Sequence, residues 1–160
     1  MEQTSAVTTA TPIEELFRRE GPRLWHTVLA FSGGRRDVAD DAVAEAFARA
    51  IEQQGRVRRM EPWLYRVALN VAKRELKRRG REAPLDGVDL AGPDAEHPEP
   101  VRALRQLSPG QRTALYLHYQ EDLPVKEVAR LMATTPAVVK VHLSRGRKRL
   151  RELLGGDDDA

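Results

Sequence analysis

Apolar residues return at steps of three and four along most of this chain, which is the period of amphipathic helices rather than strands. The pattern is sharpest in Asp122–Leu153. Val128, Leu131 and Met132 mark a short helix over about Pro124–Met132, and Val139, Leu143, Gly146, Leu150 and Leu153 share one face of a second. Between them, Ala133-Thr134-Thr135-Pro136 breaks the period. Thr135 is a favourable N-cap, and Pro136 suits the first helical position, where its missing N–H leaves no bond unmade. This combination predicts a helix-turn-helix.

Upstream, Thr11-Pro12-Ile13-Glu14 predicts a helix start. The helix should run to about Phe31 with Leu16, Phe17, Leu24, Val28 and Leu29 facing inward, kinked at Gly21-Pro22. Asp37–Gln54 predicts a second helix, burying Val43, Ala46, Phe47, Ala50 and Ile51. Asp41, Glu45, Arg49 and Glu52 fall on another of its sides. Glu61-Pro62 opens a third, reaching about Arg79. Its Leu64, Val67, Ala68 and Val71 point one way and Arg66, Asn70, Lys73 and Lys77 the other. Ser108-Pro109-Gly110-Gln111 has the form of a capping box that starts a helix ending near Tyr119.

Charge divides the chain further. Lys and Arg number 27 against 24 Asp and Glu, so the average conceals where the charge sits. Arg56–Arg81 carries ten basic residues and only two acidic ones, Glu61 and Glu75. Pro136–Arg151 carries Lys140, Arg145, Arg147, Lys148, Arg149 and Arg151 with no acidic residue. Glu82–Pro100 reverses the sign, with six acidic residues, no Lys or Arg, and several Pro and Gly. The expected fold class is therefore all-α: two small helical domains, 12–81 and 101–154, joined by a flexible acidic linker over 82–100. The second domain contains the helix-turn-helix, and residues 1–11 and 155–160 are expected to be disordered ends.

Two basic helices on a tether suit bipartite DNA binding, because each contact raises the effective concentration of the other. Trp63 and Tyr65 beside the first basic face suit unstacked bases, although a tryptophan at a helix junction more often covers a core. Other chemistries find little support. The chain has no cysteine, and His26, His97, His118 and His142 are scattered without ligand-like spacing. No glycine loop cradles a phosphate and no nucleophile has a base beside it, so neither an enzyme nor a cofactor or metal is expected. No apolar run approaches the roughly 20 residues that span a bilayer, and the N-terminus lacks the features of a signal peptide. A cytoplasmic protein is expected. A basic amphipathic helix at a membrane surface is an alternative for Trp63–Arg79, but bundle packing explains its bulky apolar face better.

DDAVAEAFARAI, PWLYRVALNVAKRELKRR and LSPGQRTALYLHYQEDLPVKEVARLMATTPAVVKVHLSRGRKRLREL, in that order, resemble the extracytoplasmic-function sigma factors of bacterial RNA polymerase. These are minimal members of the sigma-70 superfamily, with only its second and fourth regions. The resemblance covers about Ile13–Arg79 and Val101–Leu154. It implies a non-catalytic subunit that directs core polymerase to promoters. Asp40, Asp41, Glu45, Arg49 and Glu52 would dock on the polymerase clamp helices, and the second domain on its flap. Arg58, Arg59, Trp63, Arg66, Asn70, Lys73, Arg74 and Lys77 would serve the minus-ten element, with the loop Gly55–Glu61 placed to capture a flipped base. Thr135, Ala137, Val138, Lys140, Val141 and Ser144 would meet the minus-thirty-five element, with Arg145 and Arg147 on phosphates. An anti-sigma factor is a further partner the family allows. The chain departs from the family at Ala44, where Gln is usual, at Ala133 in place of the turn glycine, and at Val138 and Val141 in place of polar residues. Ala44 keeps one alternative open, a two-module DNA-binding regulator that does not bind core polymerase.

Overall fold

The computed structural model describes residues 12–82 and 99–155, and their regular structure is helical throughout. Three helices make the first half: α1 (Pro12–Phe31), α2 (Arg36–Glu52) and α3 (Met60–Glu82). α1 runs through Pro22. The helix stops where Gly33 takes a φ of 74° and the Gly34 N–H reaches back to the Leu29 carbonyl at 2.8 Å.

Small residues decide how closely these helices approach. Ala39, Ala42, Ala46 and Ala50 are all buried along α2, together with Val38, Val43 and Phe47. Against them pack Leu24 and Val28 of α1 and Leu64, Ala68 and Ala72 of α3. Two expected core residues are not there: Phe17 is 54% exposed and Ile51 57%. The buried stripe of α2 centres on its alanines, and Ile51 falls past the edge of that stripe. Phe17 keeps one contact, its ring centroid lying 4.8 Å from that of Phe47.

The second half contains α4 (Glu99–Arg105), α5 (Pro109–Leu115), α6 (Val125–Met132) and α7 (Pro136–Leu154). A π-helical turn, Tyr116–Gln120, continues α5. The capping box forms as expected: Ser108 Oγ accepts from the Gln111 N–H, and the Ser108 N–H donates to Gln111 Oε1, both at 3.1 Å. Ala133 ends α6 at φ 57°, ψ 47°, a left-handed position that ordinarily favours glycine. A Cβ there costs about 1 kcal/mol. Gly146 is buried on α7, and a Cβ added to it would meet Leu115 Cδ1 at 3.0 Å, so α5 and α7 touch through that glycine.

The two halves are docked on each other. One cluster of buried residues runs from Leu16 to Leu143 and draws on both. α5 packs on α1, and α6 on α3. Most of the expected acidic linker, residues 83–98, lies outside the described residues, as do the ends 1–11 and 156–160.

Candidate nucleic-acid interface

Docking is held by a half-buried arginine that sequence reasoning did not single out. Arg112 of α5 donates from Nε to the Ala30 carbonyl and from Nη2 to that of Phe31, both at 2.7 Å, and from Nη1 to the carbonyl of Leu107. A guanidinium thus caps the end of α1, where unpaired carbonyls and the helix dipole favour positive charge. Burial, with the nearby Arg105 charge second, lowers the Arg112 pKa to about 10, which leaves it protonated at neutral pH. Arg105 adds a bond from Nε to the Gly33 carbonyl at 3.2 Å.

A second clasp involves Glu61. Its Oε2 accepts from Arg23 at 2.7 Å and its Oε1 from Arg130 of α6 at 3.0 Å, joining the first half to the helix-turn-helix. Arg23 also donates to the Tyr65 hydroxyl at 2.8 Å, and that hydroxyl donates to Glu20 at 3.0 Å. Tyr65 is therefore core, at 0% exposure, and not an aromatic beside the basic face. Burial pushes its phenol pKa far up. The one available signal was sign: Glu61 and Glu75 are the only acids between Arg56 and Arg81. Glu75 is used locally, pairing with Arg78 and Arg79, whereas Glu61 reaches partners far away in the chain.

With the clasps formed, both basic faces remain on the surface. Along α3, Arg66, Asn70, Lys73 and Lys77 are exposed in one row, while Leu64, Val67, Ala68 and Val71 are buried on the opposite side. Arg74 stands off this row: its Nη2 lies 3.9 Å from Glu45 at the seam with α2. Trp63 is half-buried and packs on the core, while Arg58 and Arg59 are exposed in the loop before α3. On α2, Asp41 and Glu52 are exposed, Glu45 and Arg49 pair with each other, and Asp40 accepts from the Trp25 indole at 2.8 Å.

The helix-turn-helix seats α7 through Val139 and Leu143, both buried. Thr135 Oγ1 accepts from the Val138 N–H at 3.2 Å, so this residue is a cap before it is a reader. Ala137, Val138, Lys140, Val141, Ser144, Arg145 and Arg147 are exposed, with Arg147 donating to the Tyr119 hydroxyl at 2.9 Å. The His142 ring lies over Gly110, where an added Cβ would come within 2.7 Å of it. Among the described residues there is no His, Cys, Asp and Glu group able to hold a metal, and no helix long and apolar enough to cross a membrane.

Comparison with known proteins gives this geometry a family. Residues 16–82 match the model of sigma-70 region 2, and residues 101–150 that of sigma-70 region 4. RNA polymerase sigma factor CarQ of Myxococcus xanthus is 31% identical over 155 residues, covering 89% of this chain and 88% of the relative. RNA polymerase sigma-H factor of Pseudomonas aeruginosa is 31% identical over 140 residues, 72% of each chain. Among solved structures, the sigma factor RpoE of Bartonella quintana, crystallised with the anti-sigma factor NepR, matches with a TM-score of 0.71. It is 24% identical and covers 94% of this chain and 100% of its own, which is a likeness of fold. The order of the two regions, the paired basic helices and the full-length relatives agree: this chain belongs to the extracytoplasmic-function sigma factors of the sigma-70 family.

Proposed function

We propose that this sigma factor places core RNA polymerase on promoters by reading the minus-ten element with the outer row of α3 and the minus-thirty-five element with the start of α7. The observation that carries the reading is that two basic faces, each inside a matched sigma region, stay exposed while their opposite sides are buried. Arg66, Lys73 and Lys77 would hold phosphates around Asn70, whose amide can read a base edge. Arg58, Arg59 and Trp63 would border an unstacked base of the opened strand. Asp41, Glu45, Arg49 and Glu52, with Asp40, would form the clamp-helix contact, and the second half would rest on the flap. The polymerase supplies the chemistry, and the subunit works in the cytoplasm. An anti-sigma factor would act by holding the halves together.

The docked form cannot complete this task. Elements centred about 25 base pairs apart are separated by about 85 Å at 3.4 Å per base pair. A compact chain of this length is about 40 Å across, from a radius of gyration of about 15 Å. The halves must therefore part when both elements are bound, releasing the Arg112 cap and the Glu61–Arg130 pair. The regulator alternative rests on Ala44 alone, and the named relatives lend it nothing.

The test is transcription by core polymerase plus the purified chain on fragmented genomic DNA. Discrete RNA 5′ ends that depend on the chain, with a shared pair of upstream elements, are expected. DNA binding without co-elution with core, and without start sites, would overturn the reading.

A further inference from the structure

The start of α7 exposes two apolar side chains around a single cation, Lys140, where the rest of its exposed surface is mostly charged. Val138 and Val141 are 41% and 45% exposed, whereas Val139 between them is fully buried. Spaced i and i+3, the two side chains stand next to each other, with Ala137 at their edge. They border a shallow open recess that Ser108, Gln111 and Arg145 complete. Single exposed valines are ordinary on a protein surface. A pair is informative here because the first turns of a recognition helix are the part that meets base edges.

A valine neither donates nor accepts, so hydrogen-bond reading is impossible at the positions these two face. The major groove presents one apolar group, the C5 methyl of thymine. Both side chains are β-branched and held in a helix, so their methyls are presented in essentially one rotamer and lose little freedom on contact. Resting on the promoter reading above, we infer that Val138 and Val141 recognise C5 methyl groups on neighbouring bases of the upstream element. Hydrogen-bond readout elsewhere in the element is left to Lys140 and Ser144. The element thus contains adjacent or near-adjacent thymines, and 5-methylcytosine substitutes for thymine at the methyl contacts.

Replacing thymine with deoxyuridine removes the methyl and nothing else. The experiment uses polymerase carrying the full chain on a promoter located by the 5′ ends described above, with each thymine of the upstream element replaced singly. Binding should weaken about fourfold at each of one or two positions, the change equivalent to ~0.8 kcal/mol for one buried methyl-sized group. With the V138A/V141A variant the same substitutions should change nothing, because the methyls have lost their partners. Both valines are exposed and alanine favours helix, so the variant should keep its fold, which circular dichroism checks. Specific binding that is indifferent to every deoxyuridine overturns the methyl reading and leaves the sigma assignment intact. Loss of polymerase binding by V138A/V141A without DNA would make the pair a protein contact and overturn it too. Absence of any chain-dependent start site overturns the promoter reading beneath it.

Discussion

The two DNA-facing surfaces are built on opposite plans. The row on α3 is polar from end to end, Arg66, Asn70, Lys73 and Lys77, above a side sunk in the core of the first half. The start of α7 exposes Val138 and Val141 with a single cation, Lys140, between them, and the other cations come later along the helix, from Arg145 to Arg151. A polar row suits opened DNA, where phosphates and unstacked base edges are both within reach. An apolar tip suits a closed major groove, where shape and methyl groups can be read. A charge count treats the two helices as alike; their exposed residues separate them.

The largest effect should come from removing the seat of the polar row. Leu64 is fully buried beneath it, so Leu64→Ala should cost about 2–5 kcal/mol in urea unfolding. Val138→Ala should change stability by less than about 0.5 kcal/mol. Similar losses from both would erase the contrast. Next is the clasp: Arg112→Ala removes the side-chain donor from the Ala30 and Phe31 carbonyls and should cost about 1–3 kcal/mol. Small-angle scattering should show a larger free chain. On DNA, Asn70→Ala should lose about 1–3 kcal/mol of discrimination at one base of the downstream element. Lys77→Ala should weaken all sequences alike and reduce the salt slope by about one.

The smallest effect concerns a surface pair. Arg79 donates to Asp37 at 2.6 Å, and this bond holds the Asp37 carboxyl below its ordinary range. A depressed carboxylate stabilises the fold above its unfolded pKa of 3.8 and stops doing so as pH falls through the lowered value. Because Asp37 is largely exposed and Arg79 partly so, Asp37→Asn should cost under about 0.5 kcal/mol at pH 7 and nothing at strongly acid pH. A loss that persists in acid would assign the effect to something other than the charge.

Much of this was legible in the residues. Helix periods, the Ser108 capping box and the Thr135 cap are local, so spacing alone exposed them. Segregated charge located both basic faces. What could not be read depended on contacts between distant residues. Tyr65 looked like an aromatic at a basic surface because its partners Arg23 and Glu20 lie over 40 positions away. Arg112 was one cation among 27, and only the end of α1 beside it gives it a role. The docking of the halves was hidden for the same reason: the acidic tether advertises separation, while the surfaces that hold the halves together are spread over α1, α3, α5 and α6.

The absence of native cysteine makes the decisive measurement clean. Spin labels at Gln54→Cys and Glu152→Cys, both exposed, report the separation of the halves. A single distance in the free chain, replaced by one longer by tens of ångströms on core polymerase bound to promoter DNA, is the predicted result. The free chain's distance, unchanged in a complex that is making RNA, would contradict the account.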